Sequence, residues 1–285
     1  MSRNLVLATM VLVLCGAATW LAGWLPAGRR DQGDAGASAR QLEARAWRRI
    51  WLTLLPAGIA LATMFGWALQ EPGVTDEPLL PIAALFAIPI GLLCLRSAFR
   101  AWRALRRPHD MPAIATVGLL KPQILVADGV DGALDSDAME AAIAHEDAHR
   151  RHRDPLRIWL AQIATDLQWP SPFARRRFDE WLTTLELARD EDARLAGAAG
   201  EDLAAALIEV ARMPRASRPV AMVGLTGTDL AFASRVRRLL SPVPPLTKDR
   251  PRALVFALSV VLVAAVLVGV SYGDYVLRAM PFIGG

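Results

Sequence analysis

The sequence predicts a mainly α-helical integral membrane protein, with four membrane spans and one cytoplasmic helical domain that includes a small β-sheet. Three observations support this fold class. Hydrophobic residues make up 54% of the 285 residues, and the mean hydropathy is positive. The chain contains four runs that are mostly apolar and that hold no charged side chain. The largest stretch between two of these runs, 96–252, has the size of an ordinary folded domain.

Each uncharged run is long enough to cross a hydrocarbon core of ~30 Å. The predicted transmembrane helices are 4–28, 50–70, 78–95 and 253–273. The third run is the shortest and contains Pro81 and Pro89, so a re-entrant segment is the alternative to a kinked span there. The first run is longer than the ~7–15 apolar residues of a signal peptide, which favours an uncleaved anchor.

Arginines orient these spans, because Lys and Arg near span ends are retained in the cytoplasm. The loop 29–49 holds six arginines, and five more open the segment 96–252, whereas the loop 71–77 holds only acidic charges. We therefore expect 29–49 and 96–252 to lie in the cytoplasm, and the N-terminus, 71–77 and the tail 274–285 to lie outside. Arginines at span ends predict contact with lipid headgroups, and no nucleic acid partner is expected.

The cytoplasmic segment reads as a hairpin followed by helices. Alternating apolar residues broken by Gly118 and Pro122 predict a β-hairpin within 113–130. Asp135 and Ser136 are candidate caps for a helix from Asp137 to about Arg153, and Asp154-Pro155 is expected to cap and start the next helix, which ends near 167. A turn at 169–172 and further helices at 172–196, 201–213 and 229–240 complete the segment.

The helix 137–153 contains the pentad His145-Glu-Asp-Ala-His149. Histidines four apart share a helix face, so both rings can bind one metal ion. Glu146 would then lie beside the metal, where a carboxylate can take a proton from an activated water and pass it to a leaving amine. The chain has only four histidines, which makes an accidental match of this spacing improbable. The pattern predicts a zinc-dependent peptidase with Glu146 as its base.

A hydrolytic zinc site needs a third protein ligand, and neither cysteine lies outside the apolar runs, so a carboxylate is expected. Glu186 is the chosen residue for this ligand. Asp190 lies one helical turn further on the same face, where it could support a ligand histidine. From spacing alone, other carboxylates of the same helix remain open as rivals: Asp179, Glu180, Glu191 and Asp192.

These motifs together resemble the M56 family of integral membrane metallopeptidases, the antibiotic-sensing BlaR1/MecR1 group. The resemblance covers about 80–245 and rests on the pentad, Asp154, Trp169-Pro-Ser-Pro172 and Glu186-Leu-Ala-Arg-Asp190-Glu191, together with the segments 117–125 and 234–240. It implies a gluzincin-like domain with one zinc ion on His145, His149 and Glu186. It also implies Glu146 as the catalytic base and Asp190 as a supporting residue.

By this resemblance, the expected function is cleavage of a cytosolic or membrane-associated protein, with a transcriptional repressor or regulator as substrate. The region 113–130 could align an extended peptide by β-augmentation. The family's β-lactam receptors carry an external sensor domain after the last span, whereas this chain ends at Gly285. A stimulus is therefore expected to reach the peptidase through the spans, the loop 71–77, the external termini or a separate sensor or regulator protein. The expected location is the bacterial inner membrane. His109, His152 and Arg189 are the open candidates for stabilising an oxyanion.

Other functions fit the sequence less well. A housekeeping membrane protease of the M48 type would use a similar arrangement of motifs and is the main alternative. A signalling scaffold with a purely structural metal has no use for Glu146. A transporter or channel predicts ionisable residues inside the spans, which the four runs lack.

Overall fold

The computed structural model describes residues 3–25, 37–68, 91–92, 95–96, 98–99, 114–127, 130, 132–212, 228–243 and 257–270. Within these residues the protein is mainly helical with one two-stranded sheet, as predicted. The elements are α1 (Arg3–Gly23), α2 (Ala39–Leu52), α3 (Leu55–Ala68), β1 (Ile114–Val117), β2 (Gln123–Val126), α4 (Ser136–His152), α5 (Asp154–Asp166), α6 (Pro172–Leu195), α7 (Gly200–Arg212), α8 (Thr228–Leu239) and α9 (Ala257–Val270).

Among the described residues, no single helix has both the length and the apolar character of a membrane span. Helices α2 and α3 reach that length and hydropathy only as a pair, which is bent by 53° at the break between them. Val13–Gly23 and α9 are shorter apolar helices that fall within the first and fourth predicted spans. Most of the third predicted span, 78–95, lies outside the described residues. The four-span arrangement therefore remains a prediction.

The second half of the predicted basic loop 29–49 forms helix α2. Ser38 caps this helix by accepting a hydrogen bond from the Gln41 amide, and the helix runs past the expected loop boundary to Leu52. Ile50 is buried in a core cluster with Phe178, Trp181 and Leu185 of α6 and small residues of α5. The arginines of this segment are evident in the sequence. The face of α2 that packs on α6 is not evident, because it consists of only a few residues.

The hairpin lies within the predicted region 113–130, and α4 begins and ends within one residue of the predicted positions. Strands β1 and β2 pair antiparallel with Ile114 opposite Val126, and Gly118 adopts a positive φ of 101° in the connection. The Asp135 side chain caps α4 by accepting from the Ala138 amide at 2.8 Å, as expected. Strand β1 packs against α4.

The junction between α4 and α5 differs from the prediction. Arg153, not Asp154, occupies the cap position between the two helices, in a left-handed conformation with φ 53°. Such a conformation is uncommon for a residue other than glycine, and it turns the chain within a single residue. Asp154 is therefore the first residue of α5, where its carboxylate accepts hydrogen bonds from side chains instead of capping the helix.

Helix α6 lies at the centre of the helical domain. It packs against α2, α4, α5 and α8, and most of its second half is buried. Residues of α4, α6, α7 and α8 form a second core cluster, which includes Ala141, Ala193, Leu203 and Leu239. This packing fixes α4 and α6 side by side with the polar residues of both helices between them.

Candidate metal centre

Helices α4 and α6 bring three metal-ligating side chains to one point. His145 and His149 are one helical turn apart on α4, and their Nε2 atoms are 3.1 Å from each other. Glu186 of α6 faces them, with Oε2 3.5 Å from His145 Nε2 and Oε1 3.6 Å from His149 Nε2. In the part of the chain that the structure describes, these three residues are the one group that could hold a metal ion.

The spacing of these atoms fits a single tetrahedral metal ion. Zinc binds His nitrogen and carboxylate oxygen at ~2.0–2.2 Å, which places neighbouring ligand atoms about 3.3 Å apart. The three observed separations, 3.1, 3.5 and 3.6 Å, lie close to that value. Both histidines are buried, while the Glu186 side chain is 24% exposed, so the site is open on the side of the carboxylate. Three protein ligands leave one coordination position for water or substrate.

Each histidine ring is backed by a different aspartate. His149 Nδ1 is hydrogen-bonded to Asp154 Oδ2 at 2.8 Å. His145 Nδ1 lies 2.9 Å from Asp190 Oδ1, an ion-pair distance, although the angle is not that of a hydrogen bond. An aspartate at Nδ1 favours the tautomer that carries its proton there, which leaves Nε2 free to bind a metal.

Two buried arginines hold these aspartates in place. Arg189 donates to both oxygens of Asp154, from α6 to the start of α5. Arg235 of α8 forms a two-pronged contact with Asp190 at 2.6 and 2.8 Å, and its Nη1 lies 3.2 Å from Glu186 Oε2. Paired hydrogen bonds of this kind are directional, so they fix both the position and the rotation of the carboxylate.

Electrostatics at the three-residue cluster favour a positive charge. Burial lowers the pKa of His145, but Asp190 and Glu186 offset this and raise it to about 10. Burial raises the pKa of Glu186, yet His149, His145 and Arg235 lower it to about 2, so the carboxylate is ionised at neutral pH. The pKa of Asp190 is held well below its usual range, against its burial, mainly by Arg235. The carboxylates around His145 therefore favour a proton or a metal cation at this point.

Glu146 is positioned by the hairpin. The Thr116 hydroxyl of β1 lies 2.7 Å from Glu146 Oε2 and 2.8 Å from the Glu146 backbone oxygen. The hydroxyl has one proton to donate, so it serves one of these two acceptors at a time. The contact ties the carboxylate beside His145 to a strand of the sheet. Glu146 is only partly buried, so its carboxylate is accessible.

The rival carboxylates on α6 lie elsewhere. Asp179 and Glu180 pair with arginines of their own helix on the exposed side. Glu191 Oε2 accepts from the Ala39 amide at 2.7 Å, and Asp192 pairs with Arg40 and Arg189, so both face α2. The helical period explains this division, since Glu186 and Asp190 are four residues apart and share the face toward α4.

The structure describes two of the three candidates for stabilising an oxyanion. Arg189 is buried and bound by two aspartates, and His152 lies 3.2 Å from Asp192 at the far end of α4. His109 lies outside the described residues.

Three contributing residues were not identified from the sequence: Thr116, Asp154 in its supporting role, and Arg235. The signals available were the position of Asp154 five residues after His149 and the basic run that contains Arg235.

The geometry thus defines a buried site of two histidines and one carboxylate that suits a single metal ion. Residues 105–239 match the family model of the BlaR1 peptidase M56, and this confirms the resemblance drawn from the sequence. The matched segment is similar to that family of peptidases, and it contains all the residues of the candidate metal centre. Searches of curated proteins and of solved structures found no match.

Proposed function

We propose that this protein is a zinc-dependent endopeptidase that uses His145, His149 and Glu186 as metal ligands. The observation that supports this most directly is the convergence of two Nε2 atoms and one carboxylate at tetrahedral spacing. The match to a peptidase family gives the reaction class, since members of that family hydrolyse peptide bonds. A two-histidine, one-carboxylate set favours zinc over magnesium or calcium, which prefer sites made only of oxygen ligands.

A zinc ion held by these residues supplies Lewis acidity, which polarises a peptide carbonyl and lowers the pKa of water. Glu146 is the general base of the proposal. Its carboxylate accepts a proton from the attacking water and returns it to the nitrogen of the leaving amine. The Thr116 hydroxyl keeps that carboxylate beside the ligand helix. Asp154 and Asp190 hold the histidine rings in the ligating tautomer.

An extended segment of a protein is the proposed substrate. Strand β1 lies next to Glu146 through Thr116, so a peptide added along the hairpin would run past the site. Main-chain pairing of this kind recognises backbone and tolerates many side chains. The open side of the site at Glu186 gives the scissile bond access to the metal ligands.

We further propose that the protein acts from the bacterial inner membrane on a cytosolic or membrane-associated regulator. The four uncharged runs and the arginines at their ends support this placement. Resistance of the protein to alkaline carbonate extraction would support it. Release of the full-length chain into the soluble fraction would contradict it.

The test of the catalytic proposal compares the wild type with Glu146→Gln. Glutamine keeps the size of the side chain and can still accept from Thr116, but it cannot take a proton. Glu140→Gln is the matched control, because Glu140 is exposed on the same helix. Bound zinc is measured by elemental analysis, and cleavage is measured on casein and on the protein itself.

We expect one zinc per chain in all three proteins, with cleavage by the wild type and by Glu140→Gln. Loss of a general base costs roughly 10²–10⁴-fold in rate, so cleavage by Glu146→Gln should be undetectable. Absence of zinc from the purified wild type would refute the metal centre. Equal cleavage by wild type and Glu146→Gln would refute the role of Glu146. Zinc binding without cleavage by any of the proteins, on either substrate, would favour a metal-stabilised scaffold.

A further inference from the structure

Helix α2 carries both ends of a chain of alternating charges. Asp154, the carboxylate that binds His149, is a member of this chain. Neighbouring members of the chain form ion pairs, in the order Glu43, Arg157, Asp154, Arg189, Asp192 and Arg40. The three acids and three bases balance one another. Arg40 and Glu43 are three residues apart and share one face of α2, so the chain closes through this single helix.

The middle of this charge chain is Asp154, the carboxylate that binds His149. Its Oδ1 accepts from Arg157 at 3.0 Å and from Arg189 at 3.2 Å, while Oδ2 meets His149 Nδ1 at 2.8 Å. The two arginines therefore determine which way the carboxylate faces. Each of them is itself held from the other side, Arg157 by Glu43 and Arg189 by Asp192.

The position of Arg157 also depends on aromatic contacts with α2. Its guanidinium lies 4.6 Å from the ring centre of Trp47 and 5.7 Å from that of Trp181. The Trp181 indole donates to Glu43 at 2.9 Å, and the two tryptophan rings are 4.9 Å apart. If α2 leaves α6, Arg157 loses Glu43 and one face of its aromatic cage in the same step.

The ionic contacts of α2 border a cavity of about 450 Å³. Five members of the charge chain line this cavity together with His152, and the Arg40 side chain is 41% exposed. Charges next to such a space are hydrated readily when their partners move away, so separating them costs far less than breaking a dry ion pair. The exposed Arg40 end of the charge chain is therefore the part that separates at the lowest cost.

We propose that α2 is a positioning element of the metal site, and that its docking through Arg40 and Glu43 orients Asp154 and thereby sets the metal affinity of His149. The inference rests on the proposed metal centre. Helix α2 lies in the sequence between the apolar helices α1 and α3, and α3 follows it after two residues. A displacement of these helices that pulls α2 from α6 would weaken metal binding without touching a ligand. This gives the peptidase a route for regulation.

The experiment measures Co²⁺ affinity of the detergent-purified full chain by competition with a chelator, together with the visible absorption of the bound ion. The test variant is Arg40→Ala/Glu43→Gln, in which glutamine can still accept from Trp181. The control is Arg49→Ala/Glu140→Gln, which removes the same charges at exposed positions of α2 and α4. Arg40→Lys is the conservative variant, and it is compared with Arg40→Ala, both with Glu43 unchanged. Thermal unfolding of each metal-free protein reports on folding separately.

We expect Arg40→Ala/Glu43→Gln to stay folded and to bind Co²⁺ about tenfold more weakly, the lower end of the loss when a ligand's supporting partner is removed. The control should remain within about twofold of wild type, and Arg40→Lys should remain closer to wild type than Arg40→Ala. Unchanged affinity and absorption in the folded double variant would overturn the inference and leave the metal centre intact. If the double variant does not fold, Arg40→Ala and Glu43→Gln are compared singly by the same criterion. Failure of the wild type to bind Co²⁺ would overturn the metal centre itself and the inference with it.

Discussion

Replacing Asp154 by asparagine tests how much the fold depends on the charge behind His149. The Asp154 side chain is 1% exposed and accepts hydrogen bonds from Arg157, Arg189 and His149. Removing one partner of a buried ion pair costs about 3–5 kcal/mol, because the other charge is left without compensation. Arg189 keeps Asp192 as a partner, so we take the lower end, about 3 kcal/mol.

The assay is thermal unfolding of the metal-free protein. For a chain of this size, about 3 kcal/mol lowers Tm by roughly 6–12 °C. Asp147→Asn is the control, because Asp147 forms exposed pairs with Arg150 and Arg151 of its own helix, and such pairs are worth about 0–1 kcal/mol. A Tm of Asp154→Asn within about 2 °C of the control would refute the reasoning.

The effect of Asp154→Asn on Tm should also depend on pH, in a direction that follows from the pKa of Asp154. Burial alone would raise the pKa of Asp154, but His149 and Arg189 lower it far below its ordinary value of 3.8. A carboxyl whose pKa is depressed by folding stabilises the protein above its unfolded pKa and loses this effect as pH falls toward its folded pKa. The difference in Tm between wild type and Asp154→Asn should therefore be full at pH 7 and shrink below about pH 4. A difference that does not change between pH 7 and pH 3 would contradict the electrostatic origin.

Three further predictions follow from the same contacts. Thr116→Val removes the hydrogen bond to Glu146 and should lower kcat about tenfold with little change in KM, while Thr116→Ser restores it; peptide cleavage kinetics measure both. Arg235→Gln leaves Asp190 buried without its cation and should lower the stability of the metal-free protein by about 3 kcal/mol, measured by urea unfolding. Removing the metal with a chelator should abolish cleavage and lower Tm, and zinc at 100 times its Kd should restore about 2.7 kcal/mol. Full cleavage after complete zinc removal would contradict the proposed function.

The sequence was sufficient for the parts of the site that local spacing controls. His145 and His149 must share a face wherever a helix forms, and Glu186 and Asp190 repeat the same spacing on α6. Which face of α6 meets α4 is a property of tertiary packing, so spacing alone left Glu191 and Asp192 as rivals. The structure separates them because these two residues face α2.

The role of α2 could not be predicted, and the reason is physical. Arg40 binds Asp192 across 152 positions of sequence, and Glu43 meets Arg157 across 114. No local pattern encodes such contacts. The arginines of 29–49 also satisfy the rule that basic residues stay in the cytoplasm, so orientation in a membrane accounted for all of them. The same residues can serve both purposes, since Arg49 is exposed while Arg40 is bound to α6.

Helix α6 supports the two histidines through the consecutive residues Arg189 and Asp190, which make different contacts. Arg189 binds Asp154, which supports His149, whereas Asp190 meets His145 directly and is held by Arg235. Each histidine thus has its own aspartate, with Arg157 and Arg189 on Asp154 and Arg235 on Asp190, and α6 contributes to both supports. The contacts behind His149 therefore depend on α2, and the contacts behind His145 depend on α8. In the proposed metal centre, a displacement of either helix would change the support of one ligand while the other two remain in place, and metal affinity would fall in steps while α4 and α6 stay packed together.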